Sequence, residues 1–405
     1  MRRFDVVIVG AGMIGLAVAA HLARTRRADA LRITVLDGGP RPAFDAQEDV
    51  GLRVSAVSTG SAAYLDGLGA WQPVIGTRAG AFEGMRVWDA NSRAESSDAL
   101  CFEAADFGLP VLGHIVENAL LRHALLDTIS GSDVDLRFAT QIERVRPRSD
   151  GDGFDVVLGG GETLRPQLLI GADGADSLVR KQARIPVRAW QYPQAAFVTH
   201  ARPELPHRHV AWQRFLKSGP IALLPLGDGR VSVVWSTTPE RAREASGADA
   251  DSLGKQLTEA SDGVLGALSV NGPCGSFPLR AQHATRYTEA GLALVGDAAH
   301  AVHPLAGQGA NLGFADAAEL CQTLIAALDR DEYPGDLPTL RRYERARRGA
   351  NAAMLHFIDS INRLFMADRG FFVDLRRRGM RVFNRSGPVR RKAVEVALGL
   401  HLRSR

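Results

Sequence analysis

The stretch Phe4-Asp-Val-Val-Ile-Val9-Gly10-Ala-Gly12-Met-Ile-Gly15 is a run of mostly β-branched residues that breaks directly into three glycines spaced GxGxxG. A short apolar run bounded in this way reads as a buried strand. The chain then predicts a helix from Ile14 to about Arg26 and a second strand over 32–36 that ends in Asp37, 22 residues beyond Gly15. Together these parts make the dinucleotide fingerprint in its required context. The glycines permit a tight turn and close approach of a pyrophosphate to the helix N-terminus, and the acid can hold ribose hydroxyls. The fingerprint alone does not choose between NAD and FAD.

Two further junctions repeat the pattern of a strand leaving into glycine with an acid nearby. In Leu168-Leu-Ile-Gly171-Ala-Asp173-Gly174 the strand enters a turn, and Asp176 or Ser177 is placed to cap a helix that carries Arg180. In residues 291–313, a strand over Leu292 to Val295 breaks at Gly296-Asp297 into a small-residue loop. A helix then starts near Gly309 to Asn311 and runs toward Leu328, with Leu320, Leu324 and Leu328 at four-residue spacing. Free N–H groups at a helix start can face an anion or a polar heterocycle. Three such junctions imply one shared ligand.

Bulk properties narrow the rest. A chain of 405 residues exceeds what a single core usually supports, so two domains are expected. Its 49 basic and 45 acidic side chains leave a net charge of +4, too small an excess to imply nucleic acid. Cys101, Cys274 and Cys321 are odd in number and far apart, which favours a reducing, cytoplasmic setting and argues against a cysteine metal site. No run approaches the roughly 20 apolar residues of a bilayer span. His300 and His303 have no third ligand nearby, so no metal is expected; His303 reads as a loop-ordering residue and His300 as a packing histidine.

Between the junctions, helices are predicted around Ser61 to Leu68 and within His114 to Leu126, with a strand near Met85 to Trp88. Residues 135–145 and 154–158 read as a small antiparallel unit. From about Pro186 to Pro278 short strand candidates joined by Pro and Gly turns predict a mainly antiparallel sheet inserted into the first domain, with a helix over 251–268. The expected fold is therefore α/β. Residues 1–75, 111–185 and 282–350 would form a Rossmann-like nucleotide domain, 76–110 and 186–281 a substrate domain, and 351–405 a basic helical region. That last region interleaves Arg376, Arg377, Arg378, Arg381, Arg385, Arg390, Arg391, Lys392, Arg403 and Arg405 with Phe371, Phe372, Val373, Leu375, Met380, Val382 and Phe383. It can lie on an anionic membrane surface, dock a partner, or cover the nucleotide domain as a solvated face.

These residues carry a family resemblance. The fingerprint with its strand-end acid, the Ala172-Asp173-Gly174 junction, and Gly296-Asp297 followed by Pro304-Leu-Ala-Gly307 resemble the single-component flavin monooxygenases, the group of para-hydroxybenzoate hydroxylase. More narrowly, His303-Pro-Leu-Ala-Gly-Gln-Gly-Ala-Asn-Leu-Gly313, Leu52-Arg-Val-Ser-Ala56 and Gly113-His-Ile-Val-Glu-Asn118 resemble the flavin hydroxylases of ubiquinone biosynthesis.

The resemblance implies FAD held by Gly10, Gly12 and Gly15, with Asp37 on the adenosine ribose and Arg53 near the flavin. Asp173 would tie the second junction to the cofactor, and that junction is also linked to nicotinamide use. Gly296 and Asp297 would receive the ribityl chain, with Asn311 on the cofactor side. Pro304, Gly307, Gln308 and Gly309 would line the reacting isoalloxazine. Many relatives carry Arg or Gln at the start of the helix after the first sheet, where this chain has Glu117-Asn118; that departure puts the helix's flavin contact in question.

The implied reaction is hydroxylation of a polyprenylated phenol by O2, through a flavin C(4a)-hydroperoxide, with NAD(P)H or another donor supplying electrons. Proteins of a biosynthetic complex and a membrane surface are the implied partners. Competing readings are a monooxygenase for another hydrophobic aromatic and a flavin-stabilised scaffold subunit. A tryptophan-halogenase reading lacks its Trp-x-Trp-x-Ile-Pro motif, since every tryptophan here is isolated.

Overall fold

A computed structural model describes residues 3–149, 151–303, 307–366, 378–384 and 386–400. The strand Phe4–Val9 sits inside a six-stranded sheet ordered Thr288–Glu289, Leu292–Leu294, Leu168–Gly171, Phe4–Val9, Leu31–Leu36, Asp135–Arg137. All neighbours are parallel except the Thr288–Glu289 edge. Central parallel strands are covered on both faces, which is why their sequences are almost continuously apolar rather than alternating. The helices Met13–Ala23, Asn118–Ile129 and Gln308–Leu328 pack on this sheet, and Leu16, Leu121 and Phe314 are buried in one core with Ile8 and Ile170.

Two local expectations are corrected. Asp135–Arg137 joins the parallel sheet beside Leu31–Leu36, leaving Ile142–Pro147, Phe154–Leu158 and Thr163–Leu164 as the antiparallel unit. A three-residue strand has too little pattern to reveal its partner; the sheet edge decides it. The helix expected over 251–268 spans Ala250–Ala260, and the turn after it carries Asp262, Gly263 and Gly266 at positive φ. That left-handed backbone cannot continue a helix.

The second sheet is larger and mainly antiparallel. Its path runs His300–Ala301, Gly275–Ala284, Val187–Pro203, Val231–Thr237, Gly219–Pro225, Val210–Leu216, Gly84–Asp89, Leu100–Glu103, and Leu268–Val270 pairs with Val187–Pro203. One pair in it is parallel, Val210–Leu216 with Gly84–Asp89. Helices Pro239–Gly247 and Ala250–Ala260 add Ala242, Leu253 and Leu257 to a core with Phe197, Ile221 and Trp235.

The chain passes directly from one sheet to the other. After Leu292–Leu294 in the first sheet it turns through Gly296–Ala298 and forms His300–Ala301 on the edge of the second. The 30-residue helix Leu337–Met366 continues unbroken through position 350. Tyr343 lies in the first core, and Ile358 meets Val87 and Phe215 of the second sheet.

Candidate active site

Between the two sheets lies a cleft of about 1280 Å³. One wall comes from the nucleotide-type junctions: Gly10, Gly12, Asp37, Arg53, Asp173, Asp297, Gly307 and Gly309 all line it. These are most of the residues singled out in sequence, drawn from both ends of the chain. The opposite wall is the large sheet, with Ala211, Gln213, Ala222, Leu224, Val234 and Ser236 turned into the space.

Backbone conformation explains the glycines. Gly10 has φ +104°, and a Cβ on it would lie 2.4 Å from the Ala172 carbonyl oxygen. Gly15 does not line the cleft; a Cβ there would lie 1.9 Å from the Gly10 carbonyl, so it permits the helix to close on the strand. Gly12, the helix N-cap, has no atom within 4 Å of the place a Cβ would take and leaves the helix N-terminus open to the cleft. Gly307 caps Gln308–Leu328 in the left-handed region at φ 60°, where a Cβ would meet that of Ala56 at 2.7 Å. Gly309, in the first turn of that helix, faces the open cleft. Gly296, at φ +57°, packs against Ile14 rather than lining the cleft.

The acids differ in their partners. Asp37 accepts from Ala11 N at 2.7 Å and Gly39 N at 2.8 Å, which fixes its carboxylate at the tip of the second strand. Asp173 accepts from Val179 N at 3.1 Å through one oxygen, while the other is buried with no partner. Burial raises its pKa against those local hydrogen bonds. The Asp297 carboxylate opens onto the cleft and has no hydrogen bond from the described residues; the surrounding protein mass raises its pKa too. A carboxylate in that state is an acceptor waiting for hydroxyl donors.

The loops are stitched from behind. The buried Arg180 guanidinium donates to Ala298 O at 2.8 Å and Ala175 O at 2.9 Å, joining the second and third junctions. Gln282 spans the same two loops, donating to Ala175 O and Asp297 O. Ser177, not Asp176, caps the helix Leu178–Gln182; Asp176 instead pairs with Arg280 across to the second sheet.

Asn311 is turned away from the cleft. It accepts from Ser58 N and donates to Ala56 O and Gly307 O, so it clamps the glycine loop to the strand Val54–Ser58. Gln308 begins the helix outside the cleft lining. Pro304 lies outside the described residues, as do Phe371, Phe372, Val373, Leu375, Arg376, Arg377, Arg385, Arg403 and Arg405 of the C-terminal region.

Three features escaped sequence reading. Asn118 and Arg122 both line the cleft, so the helix Asn118–Ile129 does face it despite the departure at Glu117-Asn118. Arg122 also donates to Ala11 O at 3.0 Å, and its position one turn after Asn118 was the available signal. Glu117 lines the cleft as well, and accepts from Gly51 N at 2.6 Å and Arg78 Nε at 2.7 Å, holding the segment that delivers Arg53. Finally, Asp316 lies fully buried beneath the third junction. It accepts from His300 Nε2 at 2.5 Å, Arg347 Nε at 2.8 Å, Asn351 Nδ2 at 2.9 Å and Gly296 N at 3.2 Å. Burial pushes its pKa up, but His300 and Arg347 outweigh this and hold it near 2. His303, buried against the edge of Tyr192, has its pKa pushed down to about 4 by desolvation and is neutral.

Comparison with known proteins agrees with this arrangement. A family model described as FAD binding domain matches residues 104–357, and one described as FAD dependent oxidoreductase matches 5–51. The chain is 35% identical to 3-demethoxyubiquinol 3-hydroxylase of Escherichia coli over 98% of both proteins. It is 36% identical to the mitochondrial ubiquinone biosynthesis monooxygenase COQ6 of Danio rerio, covering 97% of this chain and 89% of that protein. Among solved structures, the p-nitrophenol 4-monooxygenase PnpA of Pseudomonas putida superposes with a TM-score of 0.77 at 18% identity, over 98% of this chain and 99% of that one. Nearly full-length similarity at this level, on a fold with this cleft, makes the chain a member of the FAD-dependent monooxygenase family of ubiquinone biosynthesis.

Proposed function

We propose that this enzyme hydroxylates the ring of a polyprenylated phenol, consuming O2, NAD(P)H and a proton and releasing the hydroxylated ring, water and NAD(P)+. The observation that carries this reading is the cleft itself: one wall offers glycine loops and the carboxylates of Asp37, Asp173 and Asp297, the other a largely apolar sheet. A relative named for hydroxylating demethoxyubiquinol, matched over 98% of both chains, supports the substrate class.

In this reading residues 1–75, 111–185 and 282–350 hold FAD, and 76–110 with 186–281 hold the ring. Gly10 and Gly12 admit the pyrophosphate to the start of Met13–Ala23, where the helix dipole favours negative charge. Arg122 adds a cation to the same wall. Asp37 takes the adenosine ribose, and Asp297 takes ribityl hydroxyls through its unpaired oxygens. Arg53, stacked over Phe277, and Asp173 flank the cofactor. The backbone of Gly307 to Gly309 lines the reactive ring. Bound FAD supplies activation of O2. The protein's own part is to orient the ring and keep water out. Phe82, Met85 and Val302 close the cleft with apolar surface.

The C-terminal region fits an anionic lipid surface, which would present a polyprenylated substrate. Val382 and Val389 are 68% and 63% exposed, beside exposed Arg378, Arg381, Arg391 and Lys392. Among the described residues no helix is long and apolar enough to cross a membrane. Proteins of a biosynthetic complex are the other partners this surface can serve.

The decisive experiment is reconstitution of the full chain with FAD, NAD(P)H, O2 and a short-chain demethoxyubiquinol. Product heavier by one oxygen and dependent on every component supports the enzyme. Tight FAD without turnover of the flavin favours the scaffold reading.

A further inference from the structure

The sheet-side wall of the cleft is apolar apart from two side chains. The alternation of a β-strand turns Ala211 and Gln213 of Val210–Leu216, Ala222 and Leu224 of Gly219–Pro225, and Val234 and Ser236 of Val231–Thr237 to the same space. Gln213 is 5% exposed and Ser236 2% exposed. Neither the Gln213 amide nor the Ser236 hydroxyl has a hydrogen bond to any described residue, yet both open on the cavity. A ligand lying against that wall can therefore hydrogen-bond both groups without displacing any protein partner.

The register gives the ligand's shape. Gln213 pairs with Ala222, and Ala222 pairs with Val234, two residues before Ser236. The outer strands of this trio are about 10 Å apart. The amide and the hydroxyl thus lie diagonally across the strand that carries Ala222, where a flat ring can lie. Of the two arginines that line the cleft, Arg122 belongs to the nucleotide side, while the Arg53 guanidinium stacks over Phe277 of the large sheet. A neutral amide donates and accepts, which suits a phenol or quinone oxygen.

We infer that Gln213 and Ser236 recognise the oxygen substituents of the substrate ring, and that Gln213 sets the orientation in which the ring is presented. This rests on the phenol-hydroxylase reading given above. The test uses the full-length, FAD-loaded protein and variants Gln213→Leu and Ser236→Ala. Binding of a short-chain prenylphenol, and of the same arene lacking its hydroxyl, is read from the flavin absorbance change, which needs no turnover. Wild type should prefer the phenol by at least about tenfold, about 1.4 kcal/mol, and Gln213→Leu should abolish that preference. KM should rise more than kcat falls, and more NAD(P)H should end as hydrogen peroxide.

Thermal stability separates recognition from a structural role. Removing an unpaired buried amide should leave the melting temperature unchanged or higher, whereas loss of a structural residue would lower it. The inference is overturned if Gln213→Leu keeps the phenol preference, or if it loses the preference only along with FAD and stability. Should Gln213→Leu fail to fold, that too counts against it, and Ser236→Ala must still weaken phenol binding for the second anchor to stand. If wild type binds the phenol selectively but never hydroxylates it, the functional reading falls while the recognition result is still read.

Discussion

Asp316→Asn should cost the protein more than any substitution on the cleft surface. Asp316 is 0% exposed and receives four donors, one of them the guanidinium of Arg347, itself 7% exposed. The isosteric amide removes the charge, turns an N–H2 group toward donors, and leaves Arg347 buried without a counter-ion. Breaking a buried pair from one side costs about 3–5 kcal/mol. That is a large part of the roughly 5–15 kcal/mol that holds a typical domain folded.

The variant should therefore melt lower by about 6–10 °C, and it should bind FAD more weakly because Gly296 N, one residue from Asp297, loses its anchor. Adding Arg347→Met should restore part of the loss, since the stranded cation is gone. The acid dependence has a definite sign. The folded-state pKa is lowered from 3.8 to about 2, so this stabilisation is complete above the unfolded value and is lost as pH falls through that interval. The gap between wild type and Asp316→Asn, followed by urea unfolding with and without FAD, should narrow toward pH 2. A loss under about 1 kcal/mol, or a double variant that merely adds two penalties, would refute this reasoning.

Asp297→Ala should fold normally, since its carboxylate has no described protein partner, but elute largely free of flavin; a fully flavinated variant contradicts its assignment to the ribityl chain. Gly10→Ala forces a Cβ to 2.4 Å from the Ala172 carbonyl at φ +104°, so a loss of about 2 kcal/mol or more in unfolding free energy, with poor FAD content, is expected. Reversing charge at Arg391 and Lys392, both exposed, should lower flotation with anionic liposomes by about tenfold or more and leave neutral liposomes unaffected. Equal flotation of the two proteins would remove the membrane reading.

Much of the nucleotide side was legible because its physics is local. A buried parallel strand must be apolar, a strand-to-helix turn that meets a phosphate must be glycine, and an acid must stand where the next strand ends. Gly10, Gly12, Asp37, Asp173, Asp297, Gly307 and Gly309 all carry such signals, and the structure gathers them on one cleft. What the sequence left open was long-range. Asn311 reads as a cofactor residue because it sits in a ligand loop, yet its amide is consumed by Ser58, Ala56 and Gly307. Arg122 looks like any helix arginine until the helix packs beside Gly12. Asp316 reads as an ordinary helical acid, and only tertiary packing brings His300, Arg347 and Asn351 around it. Gln213 and Ser236 are unremarkable in strands until sheet register aims both at one space. Period-two alternation tells which residues share a face; which face meets the cofactor is decided when the two sheets close on each other.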